Sequence, residues 1–132
     1  MRGLRKTELD RPRILHAEDQ ATVAEAIQMI IGQIGCEVES VSNGAEALKR
    51  VQQDPARYQM ILTDCNMPVL SGRQLVEELR AMKYGGKIVV LSALQGSETE
   101  AAFDRLKVDG IIQKPFQIQE LLNVISDALA GK

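Results

Sequence analysis

Short apolar runs alternate with amphipathic stretches along this chain, and the alternation repeats five times. Ile14-Leu15-His16-Ala17 is the first run, and it ends in the acids Glu18-Asp19. Val23, Ile27, Ile30, Ile31 and Ile34 then recur at helical spacing, with Gly35 as a stop. Alternation over Glu37–Val41 predicts a second strand. Asn43 with Glu46 three residues on predicts a capping box for a helix that turns Ala47, Leu48 and Val51 inward and breaks at Asp54-Pro55. Tyr58–Thr63 predicts a third strand, whose continuous Met60-Ile61-Leu62 suits burial on both faces. Ser71 with Gln74 predicts a second capping box, opening a helix with Leu75, Val76, Leu79 and Met82 inward and Gly85-Gly86 at its end. Ile88–Leu91 predicts a fourth buried strand. Ser97 with Glu100 predicts the start of a fourth helix, with a thin apolar stripe of Ala102, Phe103 and Leu106. Asp109–Gln113 predicts a short fifth strand, and Ile118, Leu121, Leu122, Ile125 and Leu129 mark the final helix.

Strands that alternate with helices predict an α/β fold, a parallel sheet covered on both faces. Right-handed crossovers bring the carboxyl ends of all the strands to one edge, and ligands of such sheets bind there. The 132 residues suit one domain. With 3% aromatic residues and no Trp, the core must be built from Ile, Leu, Val, Met and Ala. A net charge of −2 leaves no basic excess for a nucleic-acid backbone. Two cysteines and one histidine exclude a disulfide framework, a zinc site and most histidine-based catalysis. No stretch is long enough to span a membrane. Met1 to Arg11 carries Arg2, Arg5, Lys6 and Arg11 without an apolar run, which is unlike a signal peptide. Residues 1–12 therefore read as a charged lead-in open to disorder, residues 13–130 as the folded domain, and the whole as soluble and cytoplasmic.

At the shared edge the first strand delivers Glu18-Asp19, the third Asp64, the fourth Ser92-Ala93 and the fifth Lys114-Pro115. Three neighbouring carboxylates repel unless a cation or protons intervene. Oxygen-only ligands favour a hard cation such as Mg²⁺, Mn²⁺ or Ca²⁺. A carboxylate can also act as a nucleophile and form an acyl phosphate. That transfer needs positioning and charge neutralisation, which a metal, Lys114 and the Ser92 hydroxyl can supply. Any one of these residues alone is an ordinary loop or surface residue; the combination carries the signal.

From about Arg13 to Leu129 the sequence resembles the receiver domains of two-component response regulators. The resemblance rests on Ile14-Leu15-His16-Ala17-Glu18-Asp19, on Asp64-Cys65-Asn66-Met67-Pro68 followed by Ser71-Gly72, on Ser92-Ala93 and on Lys114-Pro115-Phe116. It implies a flavodoxin-like (βα)5 three-layer sandwich with strand order 2-1-3-4-5. It implies Asp64 as phospho-acceptor and Mg²⁺ (or Mn²⁺) held by Asp19, Asp64, the Asn66 backbone carbonyl and, through water, Glu18. Ser92 and Lys114 would contact the phosphoryl group, with a cis bond placing Lys114 before Pro115. The small Ala93 would leave the acyl phosphate accessible. The implied donor is a phosphohistidine on a histidine kinase or histidine phosphotransfer protein. The implied output surface is the face of helix four, strand five and helix five, in a monomer or a phosphorylation-linked dimer. Such a domain catalyses its own phosphotransfer and autodephosphorylation and turns over no separate substrate.

Two residues depart from the family pattern. Glu18 stands where Asp is more usual, and Ile111 stands where the family often carries the Tyr or Phe that changes rotamer with the strand-four hydroxyl. They motivate a rival reading, a receiver fold kept as a phosphorylation-independent interaction module. A metal-dependent phosphohydrolase is a third reading, disfavoured because Asn66 stands where such enzymes carry a second Asp and no cap domain is present. His16 reads as a strand side chain, Cys65 as a packing thiol, and Met67 and Phe116 as loop packing.

Overall fold

The computed structural model describes residues 11–93 and 97–131. In chain order the elements are β1 (Arg13–Ala17), α1 (Ala21–Gly32), β2 (Glu37–Val41), α2 (Gly44–Gln53), β3 (Met60–Asp64), α3 (Gly72–Ala81), β4 (Lys87–Ser92), α4 (Ser97–Arg105), β5 (Gly110–Gln113) and α5 (Ile118–Leu129). All strand pairings are parallel, and the order is β2-β1-β3-β4-β5. The expected flavodoxin-like sandwich is therefore the observed fold.

Side chains alternate across a strand, so each central strand feeds two cores. On one face Ile14, Met60, Leu62, Val89, Leu91 and Ile112 meet Ile27 and Ile31 of α1 and Leu121 and Ile125 of α5. On the other, Leu15, Ile61, Ile88 and Val90 meet Ala47 and Val51 of α2, Leu75, Val76 and Leu79 of α3, and Phe103 of α4. Each fully buried Leu or Ile contributes roughly 1.5–3 kcal/mol relative to exposure. β2 lies at an edge and is only partly buried. Its Glu39 accepts hydrogen bonds from Arg50, Arg57 and the Tyr58 hydroxyl. Charge along an edge strand discourages pairing with another chain.

The elements match the sequence reading; several of their ends do not. Asn43 Oδ1 accepts from Glu46 N at 2.8 Å, but the Glu46 carboxylate turns to Ser42 N at 3.4 Å, so that box stays open. The Ser71–Gln74 box closes in both directions. β3 starts at Met60, later than expected, because Tyr58 is occupied elsewhere. Its carbonyl accepts the Tyr84 hydroxyl at 2.8 Å and its own hydroxyl donates to Glu39 at 2.7 Å. α3 ends before Gly85-Gly86, since Lys83 already takes a left-handed φ of 59°. Ile34 falls past the end of α1, and Ile118 opens α5 exposed, with Ala128 completing the buried stripe. β5 begins one residue late because the Asp109 carboxylate accepts from Ile88 N at 2.8 Å. The side chains of Ser97 and Glu100, where a capping pair is expected, and lead-in residues 1–10 lie outside the described parts of the chain. Among the described residues no helix is long and apolar enough to cross a membrane.

Candidate metal centre at the carboxyl edge of the sheet

The parallel sheet brings the ends of β1, β3, β4 and β5 to one edge, and the predicted side chains gather there. Glu18 follows β1 and prolongs its pairing with β2, since its N–H donates to the Val41 carbonyl at 2.9 Å. Glu18 Oε2 accepts from Gln20 N at 3.1 Å, while the buried Oε1 makes no hydrogen bond among the described residues. Asp19 is exposed beside it. Asp64 ends β3 and is 7% exposed. Its Oδ1 accepts from Cys65 N at 2.9 Å and from Lys114 Nζ at 3.0 Å. Lys114 is held in turn, because its N–H donates to the Ser92 carbonyl at 2.7 Å and its bond to Pro115 is cis, as expected. Ser92 is buried, Ala93 is exposed, and Asn66 lies exposed in the turn after Asp64.

Glu18, Asp19 and Asp64 each offer a carboxylate oxygen, and those oxygens lie within 4.8 Å of one another. Burial pushes the Glu18 carboxyl above its ordinary range, and the Asp64 charge adds to this, while Gln20 N–H and the Lys114 ammonium pull it back. A hard divalent cation relieves the same repulsion without a proton. The unpartnered Glu18 Oε1 and the all-oxygen donor set fit such an ion. His16, two residues before Glu18, is fully buried on the face of β1 that carries Ile14, and neither ring nitrogen has a hydrogen-bond partner among the described residues. Burial, with the Lys114 charge second, lowers its pKa to about 4. It is a strand side chain, as the sequence reading held, and its full burial is what the structure adds.

The loop after β3 is fixed by features only partly visible beforehand. A Cβ on Gly72 would stand 2.3 Å from the Asp64 carbonyl, and Gly72 N donates to the Cys65 carbonyl at 3.0 Å. That glycine lets the start of α3 dock on the acid. Val69 was not singled out from the sequence. It takes a φ of 71°, and Leu70 N donates to the Pro68 carbonyl at 2.8 Å, the pattern of a γ-turn of the rare, strained kind. No local sequence signal announces it, since β-branched residues avoid positive φ.

A family profile described as the response regulator receiver domain matches residues 14–126. The chain belongs to the response-regulator receiver family. Among similar proteins, the transcriptional regulatory protein PrrA of Mycobacterium leprae is 34% identical over 116 residues, covering 88% of this chain and 49% of that protein. The chain thus spans about half the length of the first curated relatives it matches. The receiver protein CpdR of Brucella abortus is 27% identical, covering 89% of this chain and 96% of that one. Among solved structures, the receiver domain of Francisella response regulator 1452 superposes with a TM-score of 0.85 at 27% identity, covering 92% of this chain and 98% of that one. The chemotaxis protein CheY4 of Vibrio cholerae gives 0.80 at 26% identity, covering 89% and 98%. Receiver domains are modules of two-component signalling rather than substrate-turnover enzymes.

Proposed function

We propose that this receiver domain, residues 13–130, takes a phosphoryl group onto Asp64 and uses the resulting charge to change its partners. The supporting observation is the convergence on Asp64, with two carboxylates beside it and the Lys114 ammonium 3.0 Å from Oδ1. Because Oδ1 is already engaged by Cys65 N and Lys114, attack falls to the second carboxylate oxygen. That oxygen donates its electron pair to the phosphorus of a phosphohistidine. The phosphorus–nitrogen bond breaks, its electrons return to the imidazole, and an acyl phosphate remains on Asp64. Lys114 balances charge on the phosphoryl oxygens and the Ser92 hydroxyl donates a hydrogen bond to one of them. Glu18, Asp19, Asp64 and the Asn66 carbonyl would hold Mg²⁺ (Mn²⁺ as substitute), which when bound neutralises phosphoryl charge. Exposed Ala93 leaves the acyl phosphate open to water, which returns the domain to rest.

The donor in this reading is a histidine kinase or a histidine phosphotransfer protein, and the output face is α4, β5 and α5. Monomer and phosphorylation-linked dimer both accommodate it. Incubation with acetyl phosphate and Mg²⁺ tests the chemistry. The expected result is an intact-mass gain of one phosphoryl group that requires Mg²⁺ and is lost in Asp64→Asn. No gain with either acetyl phosphate or a phosphorylated kinase favours the rival, a phosphorylation-independent interaction module. That rival draws on Ile111, whose aliphatic side chain packs against the core where the family often has a ring.

A further inference from the structure

Gly44 opens α2, and no step above uses it. Its φ lies outside the left-handed region that favours glycine, so close approach is what the missing side chain provides. A Cβ there would stand 2.4 Å from the Leu70 carbonyl oxygen, 3.1 Å from Leu70 Cβ and 3.2 Å from the Leu70 carbonyl carbon. These are backbone contacts, which no side-chain rotation relieves. The helix is the fixed partner, because Ala47 and Val51 are fully buried and Asn43 Oδ1 caps the first turn. Leu70 belongs to the loop between Asp64 and α3, and that loop fits itself to the helix.

The same loop is held at both ends. Cys65 N–H donates to the Leu91 carbonyl at 2.9 Å, Gly72 N–H closes back on the Cys65 carbonyl at 3.0 Å, and Ser71 caps α3 in a closed box. Between these ends Val69 takes its φ of 71° in the γ-turn that joins Leu70 N–H to the Pro68 carbonyl. A valine in that conformation is strained, and such strain persists only where the surroundings over-determine it. Val69 is 78% exposed, so its own side chain supplies little of the restraint. The next residue supplies it, with the Leu70 side chain packed on the core and its carbonyl seated against Gly44.

We propose that Gly44 is a positioning residue for the metal centre: by seating the Leu70 carbonyl it holds the strained turn, and with it the loop that carries the Asn66 carbonyl. This rests on the phosphoryl-acceptor reading and its Mg²⁺ site. Glu18, Asp19 and Asp64 come from the ends of β1 and β3 rather than from residues 66–70, so unseating Leu70 should weaken the site without abolishing it.

Calorimetric titration of the full chain with Mg²⁺ tests this, with urea melts alongside. Gly44→Ala should bind Mg²⁺ about tenfold more weakly than the parent. Val51→Ala hollows the buried face of the same helix but leaves Gly44 in place. It should lose stability and keep its Mg²⁺ affinity within twofold, a separation that a merely structural role for Gly44 would not give. Val69→Gly removes the strain and leaves the seat, so its affinity should also stay within twofold, and it decides the matter if Gly44→Ala does not fold. The positioning role is overturned if a folded Gly44→Ala binds Mg²⁺ as the parent does, if Val51→Ala loses as much affinity, or if Val69→Gly alone weakens binding tenfold. If the parent itself takes up no Mg²⁺, the metal reading falls and this inference with it.

Discussion

His16 and Val69 are the residues that local rules would not have placed where they stand. A fully buried imidazole with no hydrogen bond on either nitrogen among the described residues is costly, of order 1–3 kcal/mol for each unsatisfied group. Its folded-state pKa of about 4 lies below the ordinary 6.5. Above pH 6.5 the imidazole is neutral in both folded and unfolded chains. As pH falls from 6.5 to 4, the unfolded chain takes up a proton that the native state refuses, so stability is lost on acidification, reaching about 3 kcal/mol at pH 4. Glu18 works the other way, since its raised carboxyl accepts a proton in the native state first. His16→Leu isolates the histidine. Urea melts should show the variant more stable than the parent by ~1 kcal/mol at pH 7, and the margin should widen steadily toward pH 4. A margin that stays constant with pH would contradict the assignment. The sequence marked His16 as a strand side chain but could not show that it is buried without a partner among the described residues. The placement of Glu18-Asp19, Asp64, Ser92 and Lys114 at one edge was legible because they lie at the ends of four separate strands.

At the level of elements, β1, β3 and β4 were legible because burial on both faces demands an unbroken apolar run. Their neighbours' ends were not, because tertiary partners set them. Tyr58 was drawn out of β3 by Glu39 and Tyr84, and Glu46 left its capping box for Ser42. α4 was the least visible helix, with only Ala102 and Phe103 buried among its described side chains. Its carboxyl end is tied down from α3, where Arg80 donates to the carbonyls of Leu106 at 2.8 Å and Lys107 at 2.6 Å. Lys107 itself takes a left-handed φ of 58°. Arg80→Ala should therefore act locally. Hydrogen exchange should quicken at residues 106–108 and along α4, while global stability falls by only ~1 kcal/mol. Uniform acceleration through the sheet would show instead that the arginine supports the whole fold.

For the molecule as a whole, three carboxylates at one edge make the metal-free state pay a repulsion that the rest of the fold must carry. A cation that binds only the native state raises the melting temperature by mass action. The parent should melt higher in Mg²⁺ than in chelator. Asp19→Asn should melt higher than the parent in chelator and respond less to Mg²⁺, as calorimetry can measure. The topology was legible as an alternation and the strand order only through resemblance, because crossover handedness restricts connections without ranking them. The two cores give that topology a further consequence. Asp64 and Cys65 are consecutive residues, yet strand alternation assigns them to opposite sides of the sheet. The acceptor carboxylate and the side chain packed under α2, α3 and α4 are thus separated by a single peptide bond. A change of volume at Cys65 therefore falls on the helix-covered core, while a change of charge at Asp64 falls on the sheet edge.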